Sequence, residues 1–491
     1  MPTIPLLAGA SRFLAADPLP LWIANQPCLC SQGSIAVNDP ATGAAIARVS
    51  MAGPADVDAA VNAAQAAFPA WAALSVEERA VKLHRFADLL QSEAETLAQL
   101  ESIDVGKAIA AARAFDVPFG IACFRYFADL SLRIPRDVPL AVANIEAREH
   151  RAPYGVCGFV FPWNFPLTLL CWGVAPALAA GNTVVIKASE VTPLSSLFFA
   201  KLAADAGLPP GVINLLVGTG PQAGQPLAEH PLVRRMSFTG STSVGKLIGE
   251  ICGRRLIPAK LELGGKGAAV IFDDVDIEAT AAKLASALTL NTGQNCCMAT
   301  RWFVHESIHE RFVSSVSAAL AAIKVGPGLD ESTQMGPLAS AVHRDRVLGY
   351  YEKGLATGAR ELTSAGSPLV EGPGYFVRPH LLGGNDDNVC FCEEVFGPTA
   401  FVVKFRDEDE VVRRVNAVPY GLANSIWTTD LKRADRVATR LVAGNNWINA
   451  HNVFGYGLPY GGVNLSGVGG GVNSPQAYLD YLRPTTIARP L

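Results

Sequence analysis

Charged residues are scarce in this 491-residue chain: they make up 17% of it, whereas 50% of its residues are hydrophobic. A composition this apolar can bury large cores, and it excludes the charge-rich profile of a disordered protein. Lys and Arg number 40 against 44 Asp and Glu, a net charge of −4, with no block of basic residues. Because nothing here could neutralise a phosphate backbone, we expect no nucleic-acid partner.

Cysteines are also few: the chain has ten, and no two of them form a C-x-x-C pair. This density is far below that of a disulfide scaffold and favours a reducing, cytoplasmic setting. The N-terminus lacks basic residues ahead of its short apolar stretch, which Pro5 interrupts, so it does not resemble a secretory signal. His305 and His309 have helical i, i+4 spacing, but an exposed helix face explains them more simply than a metal, and we expect no metal site.

One run of 35 residues, between Arg151 and Lys187, carries no charge and is long enough to span a bilayer. Prolines and asparagines interrupt it, and Pro166 and Gly181 suit the start and the end of a helix. Its parts predict a strand near 156–161, a helix over about 167–180 and a strand near 183–187. We therefore expect the interior of an α/β protein and no membrane segment.

Strands and helices alternate from residue 183 onward, which predicts parallel sheets with helices packed on their faces. A first series ends near residue 260, and a second contains the strands AAVIF, RWFVH and TAFVVKF. Residues 54–103 predict two amphipathic helices, the second opening with Ser75 and Glu78 at capping-box spacing. Residues 130–150 and the tail from about 475 fit neither series.

Seven short motifs follow one another over some 300 residues. They are PWNFP at 162–166, KASE at 187–190, FTGSTSVG at 238–245, LELGGK at 261–266, GQNC at 293–296, EEVFGP at 393–398 and PYGGVNLSG at 459–467. Together they resemble the NAD(P)-dependent aldehyde dehydrogenase superfamily, in which the spacing between Glu262 and Cys296 is typical.

The resemblance implies an α/β fold with three parts. These are a Rossmann-like NAD-binding domain (1–129 and 151–260), an α/β catalytic domain (261–474) and a small β oligomerisation element (130–150 and 475–491). It also implies a homodimer or homotetramer that takes a small aldehyde as substrate.

The resemblance assigns three catalytic roles. Cys296 matches the nucleophile, which adds to the aldehyde so that hydride can leave; a buried inert thiol is the alternative, and Cys297 is a rival on chemistry alone. Asn164 matches an oxyanion donor, although an Asn before an apolar helix also suits a cap. Glu262 matches the base that activates water for hydrolysis, with a structural salt bridge as the alternative.

The same resemblance assigns the cofactor residues. These are Lys187 and Glu190 at the adenosine ribose, Gly240 and Ser241 at the pyrophosphate, and Glu394 and Phe396 at the nicotinamide ribose and ring. The Gly240 and Ser241 pair precedes a helix, whose N-terminus suits a phosphate. Glu190 would repel the 2′-phosphate of NADP, so we expect NAD as the cofactor.

The residues that match the substrate tunnel are Phe119, Phe165, Trp172, Asn295, Cys297 and Phe454. Since no Arg or Lys is among them, we expect a hydrophobic or aromatic aldehyde. Two alternatives stay open: a CoA-acylating enzyme, against which Glu262 argues, and an idle structural or binding protein on the same scaffold. The family often continues S-G-x-G with Arg-Glu, whereas Gly470 and Gly471 stand here, which leaves the role of that pair in doubt.

Overall fold

Helices and strands alternate along most of the chain in this computed structural model, which describes residues 4–30, 32–363 and 366–491. The helices are α1 (Ala8–Leu14), α2 (Pro54–Ala73), α3 (Val76–Ser92), α4 (Ala94–Val105), α5 (Ile109–Ala111), α6 (Val117–Ser131), α7 (Pro166–Ala179), α8 (Leu194–Asp205), α9 (Gln225–Glu229), α10 (Thr242–Arg255), α11 (Ile277–Thr289), α12 (His309–Ala321), α13 (Ala341–Ala356), α14 (Val389–Cys392), α15 (Glu408–Val415), α16 (Leu431–Ala438) and α17 (Pro475–Leu479). The strands are β1 (Leu21–Ile23), β2 (Gln26–Cys28), β3 (Ser34–Asn38), β4 (Ala45–Ser50), β5 (Asp137–Val142), β6 (Ile145–Pro153), β7 (Val156–Val160), β8 (Thr183–Ala188), β9 (Ile213–Val217), β10 (Val233–Thr239), β11 (Ala259–Glu262), β12 (Gly267–Ile271), β13 (Ala299–His305), β14 (Arg360–Glu361), β15 (His380–Gly383), β16 (Thr399–Phe405), β17 (Ala423–Trp427), β18 (Asn445–Ile448), β19 (Gly467–Val468) and β20 (Leu482–Pro490).

The first sheet has eight strands in the order β19-β11-β10-β7-β8-β9-β1-β2. Its centre, from β11 to β9, is parallel, as the alternation of strands and helices predicts. Strands such as β8 and β9 are buried along their whole length, because helices α2 and α8 pack against them. The carboxyl ends of parallel strands share one edge of a sheet, so the loops after β7, β10 and β11 meet there.

The second sheet has seven strands in the order β14-β15-β16-β13-β12-β17-β18, and all of its pairs except β14 with β15 are parallel. The chain passes from the carboxyl end of β11 through residues 263–266 to the amino end of β12. The boundary predicted near 260 therefore falls within β11, and β19 returns to the first sheet from late in the chain. The carboxyl edge of one sheet thus adjoins the amino end of the other.

A separate antiparallel sheet, in the order β20-β6-β5, contains the two segments that fit neither series. Strand β6 runs three residues beyond 150, and β20 begins at 482, after the short helix α17. The Asn182 amide donates to the Tyr481 carbonyl at 2.9 Å, which joins the start of this tail strand to the first sheet.

The long uncharged run folds as β7, a loop, α7 and β8. Pro166 takes the first position of α7, where its missing N–H costs nothing, and Gly181 follows the helix with a φ of +95°. Among the described residues, no helix is both long and apolar enough to cross a membrane.

Two local predictions from the sequence are wrong. Residues 54–103 form three helices, α2 to α4, because the chain bends again at Glu93, whose φ of −102° and ψ of 15° leave the helical range. The capping box is confirmed: Ser75 Oγ accepts from the Glu78 N–H at 3.1 Å, and Glu78 accepts in return at 2.7 Å. His305 and His309 do not share a helix, since His305 ends β13 and His309 begins α12.

Candidate active site

A cleft of about 900 Å³, its open mouth included, lies where the carboxyl edge of the first sheet meets the second. The loops after β7, β10 and β11 form one side, and the loop before β13 forms another. Of the sequence-predicted residues, the cleft is lined by Asn164, Phe165, Trp172, Gly240, Ser241, Glu262, Asn295, Cys296, Glu394, Phe396 and Phe454. The fold therefore brings the three predicted catalytic side chains to one cavity.

The loop at 290–298 that carries Cys296, called the cysteine loop below, has a backbone conformation that few residue types adopt. Asn291 and Thr292 have positive φ, and at Gly293, with a φ of +73°, an added Cβ would lie 2.2 Å from the Gly397 carbonyl carbon. Cys296 reaches the cleft half-buried, and its Sγ lies 3.4 Å from Tyr460 Oη. Hydrogen bonding to Cys297 and burial raise the pKa of the Cys296 thiol well above its usual value.

Asn164 ties the loop after β7 to this cysteine loop. Its side-chain amide donates to the Gln294 carbonyl at 3.0 Å, and the Asn291 amide donates to the Asn164 carbonyl at 2.8 Å. An amide nitrogen carries two protons, and within the described chain an acceptor is present for one of those of Asn164, which also lines the cleft. Asn164 does not cap α7, whose N-cap position is Phe165.

Glu262 is the last residue of β11, and both of its carboxylate oxygens are buried. Within the described part of the chain neither oxygen has a hydrogen-bond partner, and Glu262 forms no ion pair. Burial raises the pKa of this carboxyl to about 8. A structural salt bridge therefore does not account for Glu262.

Lys260 is a buried cation two residues before Glu262, and no motif in the sequence marks it. Its ammonium donates to the Gly471 carbonyl and lies 3.9 Å from the Asp480 carboxylate. Burial lowers the pKa of Lys260 to about 8, while the positive charge of Lys260 opposes the rise in the pKa of Glu262. At Gly470 an added Cβ would lie 2.7 Å from Asp480 Oδ2, so the glycines that replace Arg-Glu leave room for this arrangement.

Glu394 and Phe396 also line the cleft. Glu394 Oε1 accepts from the Gly265 N–H at 2.8 Å, and an added Cβ at Gly264 would lie 2.5 Å from Glu394 Oε2. Phe396 adopts a φ of +62°, stabilised by a 2.7 Å hydrogen bond from His343 Nε2 to its carbonyl. Burial raises the pKa of Glu394.

Lys187 and Glu190 lie outside the cleft lining, at and just beyond the end of β8. They form an ion pair of 3.2 Å, with Lys187 buried and the Glu190 side chain 28% exposed. Ser241 is the N-cap of the 14-residue helix α10, and the Gly240 N–H donates to the Glu262 carbonyl at 3.0 Å. Ser241 and Glu394 line the same cleft, whereas Glu190 lies outside its lining.

The other end of the cleft is aromatic, formed by Phe165, Trp172 and Phe454 among others. Two predicted tunnel residues are not on this wall. Phe119 lies in the layer behind, where it stacks on Tyr456 at 4.6 Å and meets the Trp172 ring edge-on at 5.9 Å. Cys297 is 1% exposed because its thiol turns away to the amide oxygens of Asn295 and Asn452, at 3.2 and 3.4 Å.

Sequence reasoning missed several residues of the cleft, among them Phe115, Leu169, Arg346 and Tyr460. Phe115 stacks on Phe119 at 5.0 Å, and the i, i+4 spacing of the two could have drawn attention to it. Arg346 is a cation of the cleft, which the residues matched to the substrate tunnel did not include. It lies on α13 beside Glu394, to whose carbonyl it donates at 3.0 Å.

Comparison with known proteins decides the family, because the Aldehyde dehydrogenase family model matches residues 29–487. The chain belongs to the aldehyde dehydrogenase family. Among its relatives, 2-aminomuconic semialdehyde dehydrogenase of Mus musculus is 40% identical over 438 residues, which are 88% of this chain and 90% of that protein. Phenylacetaldehyde dehydrogenase of Pseudomonas fluorescens is 39% identical over 463 residues, 91% of this chain and 90% of that protein.

Solved structures agree with this assignment. The NAD+ complex of aldehyde dehydrogenase from Bacillus cereus has a TM-score of 0.96 and 35% sequence identity, and the match covers 100% of both chains. The predicted family and fold are confirmed, as is the predicted class of an NAD-dependent aldehyde dehydrogenase.

Proposed function

We propose that this aldehyde dehydrogenase oxidises hydrophobic or aromatic aldehydes to carboxylic acids, with NAD as hydride acceptor and water as second substrate. One observation carries the proposal: Cys296, Asn164 and an unpartnered Glu262 share a cleft with an aromatic wall. A thiol, an amide donor and a base are the three groups that this chemistry needs.

Cys296 begins the reaction. Its thiol loses a proton to water in the cleft, and the thiolate attacks the aldehyde carbon, so that a C–S bond forms as the C=O π electrons move to oxygen. Asn164 faces the same cleft and is held in place by its bond to Gln294. Its free N–H and the backbone N–H of Cys296 stabilise the oxyanion.

The tetrahedral adduct then re-forms its C=O bond and expels hydride, which leaves a thioester on Cys296. NAD, when bound, accepts that hydride. Glu262 next takes a proton from water while the water oxygen attacks the thioester carbon. The C–S bond breaks, the acid leaves, and the Cys296 thiolate is restored.

The residues present fit NAD. The N-terminus of α10, with Ser241 as its cap, offers backbone donors to a pyrophosphate. Glu190 is partly exposed and would accept from ribose hydroxyls, while its charge disfavours a 2′-phosphate; Lys187 neutralises only part of that charge. Glu394 and Phe396 would hold the nicotinamide ribose and ring at the catalytic end.

The aromatic wall supports the substrate class. A substrate ring that packs against Phe165, Trp172 and Phe454 gains binding free energy of about 25 cal/mol for each Å² of apolar area removed from water. Acetaldehyde has less apolar area to bury and gains less. Lys107 lies behind this wall, 4.5 Å from the Phe165 ring centroid, but it is 1% exposed and paired with Glu101 and Asp116. A remote carboxylate would therefore lose hydration at the wall without gaining a partner.

Two alternatives remain from the sequence. A CoA-acylating enzyme would not need a base for water, so the buried, unpartnered Glu262 favours hydrolysis. An idle scaffold would not need to keep Cys296, Asn164 and Glu262 in one cleft.

NADH formation with a panel of aldehydes tests the proposal. We expect kcat/KM for phenylacetaldehyde and benzaldehyde to exceed that for acetaldehyde and succinic semialdehyde by about tenfold or more, which needs only about 1.4 kcal/mol from the added burial. Cys296→Ala should lose both the burst and the turnover, whereas the matched variant Cys297→Ala should keep them. Preference for succinic semialdehyde, or for betaine aldehyde over a neutral isostere, would overturn the substrate class. Activity in Cys296→Ala would overturn the nucleophile.

We further propose that the β20-β6-β5 sheet is the oligomerisation element of a homodimer or homotetramer. Its outer strands β5 and β20 leave their edges unpaired in the described chain, and Leu140, Val142 and Ile487 are exposed on it. Sedimentation velocity should give a dimer or tetramer, and Val142→Lys with Ile487→Lys should dissociate it. A wild-type monomer would contradict this proposal.

The ten free cysteines favour a cytoplasmic location, which fractionation of the source cells would test.

A further inference from the structure

Tyr460 places a hydroxyl beside the catalytic sulfur in a cleft end that is otherwise aromatic. Its Oη lies 3.4 Å from Cys296 Sγ, within hydrogen-bond range for sulfur. The side chain lines the cleft, yet the residue is only 6% exposed. The roles assigned under the proposed function do not use this hydroxyl.

Two neighbouring aromatic rings pack against the Tyr460 ring. Its centroid lies 5.5 Å from that of Trp172 and 5.3 Å from that of Phe454. The backbone is fixed by an isolated bridge to Val472, with N–H to carbonyl distances of 3.1 and 2.6 Å. The position of the hydroxyl is therefore set by packing and backbone together.

The groups around Cys296 determine how stable its thiolate is. Cys297 adjoins Cys296 on the same loop. Glu262 and Glu394 face Cys296 from β11 and from the loop after α14, and Arg346 lies on α13 beside Glu394. Both carboxylates oppose a negative charge on sulfur, and burial opposes it further. Burial also raises the pKa of Tyr460 well above its usual value, so the hydroxyl keeps its proton and remains a donor.

We propose that Tyr460 is a catalytic residue whose hydroxyl donates a hydrogen bond to the Cys296 thiolate and aims it at the aldehyde carbon. The inference rests on Cys296 being the nucleophile of the proposed function. The tyrosine proton stays on oxygen throughout, while the thiol proton leaves to water. The aromatic ring of Tyr460 packs against the substrate, and its hydroxyl stabilises the Cys296 thiolate.

Tyr460→Phe tests this role, since it removes the hydroxyl and keeps the ring. The rate of Cys296 alkylation by iodoacetamide is measured against pH, with the labelled peptide identified by mass spectrometry. Loss of one hydrogen bond of ordinary strength to a charged group should raise the midpoint of the alkylation–pH profile by about one pH unit. At pH values below the midpoint, the alkylation rate should fall about tenfold. The NADH burst should slow by a similar factor, while KM for phenylacetaldehyde should change less than about twofold, because the wall is intact.

Tyr456→Phe is the matched control. Tyr456 belongs to the same aromatic cluster, but its hydroxyl donates to the Phe119 carbonyl and not to the sulfur, so the Cys296 profile should not move. An unchanged Cys296 profile in Tyr460→Phe would overturn the role of the hydroxyl, as would an equal shift in both variants. The labelling does not depend on turnover, so a failure of the proposed nucleophile would show separately, as activity in Cys296→Ala.

Discussion

Replacing Glu262 with Gln should separate the two halves of the reaction. The change keeps the shape of the side chain and removes its ability to take a proton from water. Within the described chain Glu262 forms no hydrogen bond to Cys296, Asn164 or the aromatic wall, so their positions should not depend on its charge. Thioester formation should therefore survive, and hydrolysis should fail.

The size of the effect follows from the environment of Glu262. Burial raises its pKa to about 8, so at pH 7 only about one molecule in ten carries the ionised base. Wild-type steady-state turnover should then rise nearly tenfold from pH 6 to pH 7 and level off above pH 8. Loss of the general base in Glu262→Gln should lower turnover by about 10²- to 10⁴-fold and flatten that rise.

Stopped-flow recording of NADH fluorescence distinguishes the two phases. Glu262→Gln should give a burst of one NADH per active site, followed by a nearly flat line. Glu250→Gln is the matched control, since Glu250 is 63% exposed on α10 and pairs with Arg254, and it should behave as wild type. Turnover in Glu262→Gln within about threefold of wild type, or the absence of any burst, would refute the assignment of Glu262 to hydrolysis.

Three further outcomes follow from the site. Asn164→Ala should lower kcat by about 10²- to 10³-fold through loss of one oxyanion donor, measured by steady-state kinetics, and a smaller loss than tenfold would contradict that role. Glu190→Gln should narrow the preference for NAD over NADP, measured as the ratio of kcat/KM values, and an enzyme that prefers NADP before the change would contradict the assignment. Lys260→Met removes the cation that opposes the rise in the pKa of Glu262, so the midpoint of the pH–turnover profile should move above about 8; a midpoint that stays or falls would show that Lys260 does not act on Glu262.

Local signals in the sequence predicted much of this fold. The capping box at Ser75 and the helix start at Pro166 are short-range effects that depend on a few neighbouring residues, and both formed as expected. Asn164, Glu262 and Cys296 were found because they lie in short motifs that resemble those of the aldehyde dehydrogenase family. Their convergence on one cleft follows from the parallel order of the strands.

Contacts between residues distant in sequence could not be predicted from the sequence alone. Nothing local in Gly467–Val468 indicates that it pairs with β11, since two residues carry no usable hydrophobic period. In the sequence, Lys260 has the pattern of an ordinary strand lysine. Only the fold shows that it is buried beside Gly471. Cys297 was expected on the tunnel wall, but which way a side chain turns from a loop depends on partners distant in sequence, here Asn452.

The return of late segments to early strands has a consequence for how the protein is made. Strand β20 pairs with β6 over a separation of more than 300 residues, and β19 closes the first sheet beside Glu262. Tyr460, held by its bridge to Val472, also comes from the last part of the chain. Nearly the whole polypeptide must therefore leave the ribosome before this cleft can form, so nascent chains expose unfinished sheet edges during synthesis.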